Sequence, residues 1–113
     1  MRYLLDKYGE EIDVLYSHND GMTLGAIDAI REYGLSPGSD IIIITVDGEQ
    51  AAIDLLKAGE INCVVECTPN LGDSVMELAK KLAAGETVPK MSYPDEDVFT
   101  EFDDLSDLAP RGY

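Results

Sequence analysis

The sequence predicts an α/β fold, a parallel sheet flanked by helices in three layers, and three observations predict it. Ile41-Ile42-Ile43-Ile44 is apolar without polar alternation, as in a parallel strand covered on both faces. Two stretches carry apolar residues at helical spacing: Met22, Ala26, Ile27, Ile30 and Tyr33, then Val75, Leu78, Ala79, Leu82 and Ala83. Short apolar runs alternate with helical stripes in the order βαβαβαβ, which right-handed crossovers build into a parallel sheet.

Arg2 to Tyr8 reads as a short helix closed by Gly9, and Ile12 to Ser17 as the first strand. A helix follows from about Asp20 to Tyr33, with Asn19 or Asp20 as its N-cap and Gly34 at the left-handed C-terminal position. Ser36-Pro37-Gly38-Ser39 is a loop, and Asp40 to Val46 is the second strand. The third helix spans Glu49 to Ala58 and is ended by Gly59, and the third strand spans Ile61 to Glu66. Thr68 is an acceptable N-cap for the longest helix, with Pro69 in the first helical position, where its missing N–H has no partner to lose. Gly85 stops that helix. Val88 to Tyr93 is expected to form a last short strand before Pro94, and residues 94–113 an acidic C-terminal tail with few apolar anchors. The layout is Rossmann-like. Neither a G-x-G-x-x-G fingerprint nor a P-loop is present.

At 113 residues the chain makes one domain at most, enough to bury roughly 65% of its unfolded surface. Its net charge of −15 argues against binding nucleic acid or anionic membrane, since both need a basic footprint. Seven of the 23 acidic residues lie between Asp95 and Asp107, so part of that charge belongs to a solvated tail. No run approaches the ~18 apolar residues of a membrane span, so no membrane insertion is expected. Met1-Arg2-Tyr3-Leu4-Leu5-Asp6-Lys7 is charged too early for an export signal; the expectation is a cytosolic product or a piece of something longer. Cys63 and Cys67 have no second ligand pair for zinc. Four apart on a strand, they stand about 13 Å from each other, beyond disulfide reach, and are expected to be small core or near-core residues.

Catalysis finds little support, and neither a metal site nor a cofactor is expected. His18 is the only histidine and has no nucleophile motif beside it, so a polar strand-end residue without a proton-transfer role is expected. Binding finds more. Asn19, Asp47 and Glu66 follow three successive strands, and in an open α/β sheet ligands sit in the crevice beyond the strand ends. A carboxylate accepts from vicinal hydroxyls and an amide both donates and accepts, which suits a neutral polyol. The same residues can equally be caps and turns, Asn19 at a helix start and Asp47-Gly48 in a loop.

Ser17-His18-Asn19-Asp20-Gly21-Met22-Thr23-Leu24-Gly25-Ala26 resembles the "x-N-D-x-M-A-x-G-A" segment of the type 1 periplasmic sugar-binding proteins that serve ATP-driven (ABC) importers. Ile42-Ile43-Ile44-Thr45-Val46-Asp47-Gly48 is similar to the family's "V-V-G-x-D-G". The likeness continues through Leu55 to Glu66, where the family has a helix, a "x-G-x-L" step and a strand ending in Gln or Glu, and through Pro69 to Pro89 with its "G-x-x-V" turn. It covers about residues 2 to 100, with a galactofuranose-binding-like flavour.

The resemblance implies that Asn19, Asp47 and Glu66 are ligand-binding, the first two from the C-terminal lobe and the third from the hinge. It implies a monosaccharide and a transporter permease as partners, and a periplasmic or extracellular location. Residues 1–93 then correspond to the C-terminal portion of such a protein, with 67–85 a helix crossing to the other lobe. The N-terminal lobe, the first half of the C-terminal lobe and the aromatic platforms are not in this sequence. A fragment of that kind is expected to bind sugar poorly alone and to self-associate as a homodimer. Two other readings compete. A lactose-repressor-like regulator shares the fold, but Asp47-Gly48 and Lys57-Ala58-Gly59-Glu60 favour transport. A phospho-receiver with Asp47 as acceptor lacks the acidic pair and the Lys-Pro step it needs, since Lys90 follows proline.

Overall fold

The computed structural model describes residues 1–113. The elements in chain order are α1 (Arg2–Tyr8), a 3-10 turn (Gly9–Glu11), β1 (Val14–Tyr16), α2 (Asp20–Tyr33), β2 (Ile42–Asp47), α3 (Gln50–Lys57), β3 (Cys63–Glu66), α4 (Gly72–Ala83) and β4 (Val98–Thr100). The sheet order is β1-β2-β3-β4. The first three strands are parallel, as the isoleucine run predicts, with Leu15 opposite Ile43 and Thr45 opposite Val64. The fourth is antiparallel to β3, with Phe99 opposite Val64, so the sheet is mixed.

Successive strands advance in one direction across the sheet, and right-handed crossovers therefore place α2 and α3 on the same face. That face holds the core: Ile27, Ile30, Ile41, Ile43, Ile53, Ile61 and Val64 are each at most 1% exposed. The alternate residues point the other way. Val14, Tyr16, Ile42 and Val98 are 52%, 58%, 46% and 56% exposed, so the opposite face is apolar and has no covering layer within this chain. The unbroken isoleucines thus encode cover on both sides, and this chain supplies one side of it.

Asn62 ties the sheet to its surroundings. Its Oδ1 accepts from the Ile43 N–H at 2.7 Å, and its Nδ2 donates to the Gly38 carbonyl at 2.8 Å and to Glu101 Oε2 at 3.2 Å. Gly38 lies so close to the Gly59-Glu60 backbone that a Cβ would stand 2.2 Å from the Gly59 carbonyl oxygen.

Four expectations are corrected. Val88 to Tyr93 is not a strand; the fourth strand is Val98–Thr100, because Phe99 reaches the core and the residues before it do not. The segment 94–113 is acidic but is not a free solvated tail, since it supplies β4 and docks its last residues on the body. Helix α4 begins at Gly72 instead of Pro69, after a turn in which the Asn70 N–H donates to Thr68 Oγ1. Cys63 is half-buried, burial followed by the Asp103 charge raising its thiol pKa, whereas Cys67 is exposed and outside the core.

Helix α4 stands apart. It has no buried residue, and Val75, Met76 and Leu82 are each more than half exposed, so its apolar stripe meets nothing in this chain. The molecule is accordingly 59 × 32 × 19 Å with a radius of gyration of 18.0 Å, against about 13 Å for a compact chain of this length.

Two alanine substitutions should separate crowding from chain freedom. Gly25→Ala in α2 meets open space and is expected to stabilise by about 0.5–1 kcal/mol. Gly38→Ala combines a backbone clash with φ +78° and should destabilise by more than about 1 kcal/mol. Urea unfolding midpoints, with unchanged slopes, read both.

Candidate functional site

The carboxyl ends of β1, β2 and β3 form one edge of the body, with Asn19 three residues past β1 and Asp47 and Glu66 the last residues of β2 and β3. Two strand spacings make this rim roughly 10 Å across. Asp47 and Glu66 are direct register partners.

Asn19 is the N-cap of α2. Its Oδ1 accepts from the Met22 N–H at 2.8 Å, and the residue is exposed. Capping and presentation coexist, because the amide nitrogen is not used by the cap. Asp47 has φ +123°, the only non-glycine residue with positive φ. Such a conformation costs free energy and tends to occur where a side chain must be aimed. The Asp47 side chain is half-buried and has no hydrogen-bond partner in the chain.

The strained turn is held from below by Asp20, which is fully buried. Its Oδ1 accepts from the Thr45 hydroxyl at 2.6 Å, and its Oδ2 accepts from the N–H groups of Gly48 and Glu49 at 2.8 and 2.7 Å. The Thr45 hydroxyl, having given its proton to Asp20, can only accept from Thr23 Oγ1, 2.7 Å away. Asp20 also occupies the first turn of α2, where the helix dipole favours negative charge. The sequence marks Asp20 only as an alternative cap; the structure makes it the support of the Asp47 turn.

Glu66 is engaged on both oxygens. Oε1 accepts from Arg111 Nη2 and, at 3.1 Å, from the Tyr113 hydroxyl; Oε2 accepts from the Asp97 N–H at 3.1 Å. Burial disfavours the Arg111 charge, and the bonds to Tyr113 and Glu66 outweigh it, so its pKa lies above the ordinary guanidinium value. Two passages of chain run side by side at this point, with the Glu66 N–H on the Asp97 carbonyl and the Thr68 N–H on Glu96 Oε1. They carry the chain out to α4 and back. The region 108–113 and Asn70 close a cavity of ≈ 270 Å³ against Glu66. Sequence reasoning missed Arg111 and Tyr113; the available signal was that Arg111 is the only cation after Lys90. His18 is exposed and packs edge-on against Tyr16, with ring centroids 5.4 Å apart.

The family profile described as a periplasmic binding protein domain matches residues 1–87. This chain belongs to the periplasmic binding protein family. The galactofuranose-binding protein of Escherichia coli (strain K12) is 39% identical over 82 residues, 73% of this chain and 26% of that protein. The fructose import binding protein of Bifidobacterium longum (strain NCC 2705) is 35% identical over 88 residues, 77% of this chain and 26% of that protein. Among solved structures, a Mycobacterium smegmatis protein in complex with β-D-fucofuranose aligns with a TM-score of 0.81 and 41% identity, over 88% of this chain and 33% of that one. The binding component of the arabinose ABC transporter from Shewanella sp. ANA-3, bound to α- and β-L-arabinofuranose, aligns at 0.79 and 36%, with the same coverage. This member of the family therefore spans about a quarter of the length of its curated relatives and a third of the solved ones. The open sheet face and the partnerless α4 stripe agree with that extent.

Removing the Asp20 carboxylate strands three donors in a dry site. Asp20→Ala should destabilise by about 3 kcal/mol or more, and urea unfolding of the purified chain measures it. An unchanged midpoint contradicts the supporting role given to Asp20.

Proposed function

We propose that this chain carries one wall of a monosaccharide site in the solute-binding component of an ABC sugar importer, with Asn19, Asp47 and Glu66 as its ligand-binding residues. The observation that carries the reading is Asp47: a strained residue at a strand tip, its carboxylate free of protein partners, beside Asn19 and Glu66. The fucofuranose and arabinofuranose complexes among its structural neighbours favour a neutral sugar in its five-membered ring form. Binding involves no reaction, cofactor or metal. The sugar-loaded protein would deliver its cargo to the importer's permease on the outer side of the cytoplasmic membrane. The Asp47-Gly48 step and the sugar-binding relatives favour this reading over a repressor-like effector domain.

Hydrogen bonds to sugar hydroxyls strengthen when water is excluded, which takes a second wall. Calorimetry of this chain against a panel of pentoses and hexoses is therefore expected to give no micromolar binding. In a protein carrying both lobes, Asp47→Ala should cost several kcal/mol of binding. Micromolar binding by the chain alone contradicts the need for a second wall, and an Asp47→Ala protein that binds normally contradicts the assignment. The reading frame upstream supplies a separate check: a lobe behind an export signal fits the carrier, and a helix-turn-helix fits the regulator.

The uncovered sheet face and the α4 stripe also support self-association as a homodimer, since exposed apolar surfaces of this kind mark interaction sites. The charge of −15 opposes association and salt screens it, so the dimer should tighten as ionic strength rises. Sedimentation is expected to show twice the 12.3 kDa chain mass. A stable monomer at high micromolar concentration in moderate salt rejects the dimer.

A further inference from the structure

We propose that Arg111 and Tyr113 are positioning residues of the rim, holding the Glu66 carboxylate in the orientation that leaves one oxygen site open toward a sugar. This rests on the reading of Glu66 as a ligand-facing group.

Each carboxylate oxygen offers about two acceptor sites. On Glu66 both sites of Oε1 are filled, by Arg111 Nη2 and the Tyr113 hydroxyl, while Oε2 is bonded once, to the Asp97 N–H. One site of Oε2 remains, in a direction fixed by the other three bonds. The clamp is itself anchored. Arg111 Nη2 also donates to the Tyr113 hydroxyl at 2.7 Å, which obliges that hydroxyl to direct its own proton at Glu66. The guanidinium carbon lies 5.4 Å from the Phe99 ring centroid and 5.3 Å from that of Tyr113, within cation–π range of both. The backbone is tied to the start of α3: the Arg111 N–H donates to Gln50 Oε1 at 2.6 Å, and the Gln50 N–H donates to the Tyr113 carbonyl at 2.9 Å.

Gly48 packs beside the pair: a Cβ there would lie in ordinary van der Waals contact, 3.6 Å, with both Arg111 Nη2 and Glu66 Cγ, and the turn calls for glycine through its φ of +88°. The charge arrangement has its own logic. Three carboxylates, Asp20, Asp47 and Glu66, occur at adjacent strand tips, and Arg111 is the cation brought to them. With the Arg111 and Glu66 side chains only 13% and 11% exposed, the pair is shielded from the screening that weakens surface ion pairs. A tail serving only as a tether would need the two backbone ties to Gln50. The bonds that converge on the Glu66 carboxylate are additional and act on a side chain of the rim.

Carbodiimide-driven amine labelling of the full chain, read by mass spectrometry, tests the clamp, with exposed Glu86 as internal reference. Glu66 is expected to label far more slowly than Glu86. Arg111→Met should raise the Glu66 rate about tenfold, the change expected for loss of a charge-assisted hydrogen bond. Arg111→Lys should restore most of the protection, and Tyr113→Phe should give an intermediate rate. The destabilised Gly38→Ala chain should leave Glu66 slow, which separates positioning from general loosening. Glu66 labelling as fast as Glu86 in the unmodified chain overturns the proposal, as does an unchanged rate in Arg111→Met or Tyr113→Phe. Should Arg111→Met fail to fold by circular dichroism, the unmodified chain and Tyr113→Phe decide. The same labelling in a protein carrying both lobes, with L-arabinose or D-galactose at high millimolar concentration, addresses the sugar reading separately. Protection that follows the clamp pattern but ignores sugar supports the clamp and counts against the sugar reading alone.

Discussion

The buried carboxylate of Asp20 is the interaction on which the rest of this architecture hangs. It joins the first turn of α2 to β2 and to the start of α3 through one carboxylate. Burying a charge is costly unless its acceptor capacity is met, and here one hydroxyl and two backbone N–H groups meet it. The same bonds fix the turn in which Asp47 and Gly48 both have positive φ. Local strain at Asp47 is therefore sustained by a strong interaction one layer below it, and the exposed rim inherits its shape from a residue no ligand touches.

The body and its appendage obey different physics. On the body, one sheet face is packed by α2 and α3 to near-zero exposure, and the opposite face is equally apolar but bare. Helix α4 has the same character, an apolar stripe with nothing against it. Both features suit a chain that corresponds to about a third of a two-lobed family member. The two passages beside Glu66 form the joint between body and appendage, held by a few hydrogen bonds, including Glu66 to Asp97 and Thr68 to Glu96.

Most of the fold was legible because its signals are local. The isoleucine run, the helical stripes and the Asn19 cap each declare themselves within a few residues, and strands β1 to β3 and helices α1 to α3 appear where those signals lie. Strand β4 was not legible, since Val98–Thr100 is three residues long, flanked by acids, and sends only Phe99 into the core. Val88 to Tyr93, ended by Pro94, offered a longer local pattern and no partner. At the rim, the three strand-tip residues were legible from order along the chain. The partners of Glu66 were not, because the Arg111 bond closes a loop of 45 residues and no local pattern encodes such a pairing. Asp20 was ambiguous for a different reason: an Asn-Asp pair before a helix offers two caps, and only the position of Thr45 decides which side chain turns inward.

The distance along the chain between Glu66 and its cation has a consequence for the order of events in synthesis. Arg111 comes 45 residues after Glu66, with α4 and the acidic stretch between them. As a domain emerges from the ribosome at about 5–20 residues per second, its early elements can fold before its last ones exist. Strands β1 to β3 and their helices precede residue 67, so a nascent chain can carry the parallel part of the sheet, its rim carboxylates without their counter-charge, before β4 and Arg111 exist. Residues 111 and 113 leave the ribosomal tunnel after those strands, so the Glu66–Arg111 pair closes on a rim whose strands are already made.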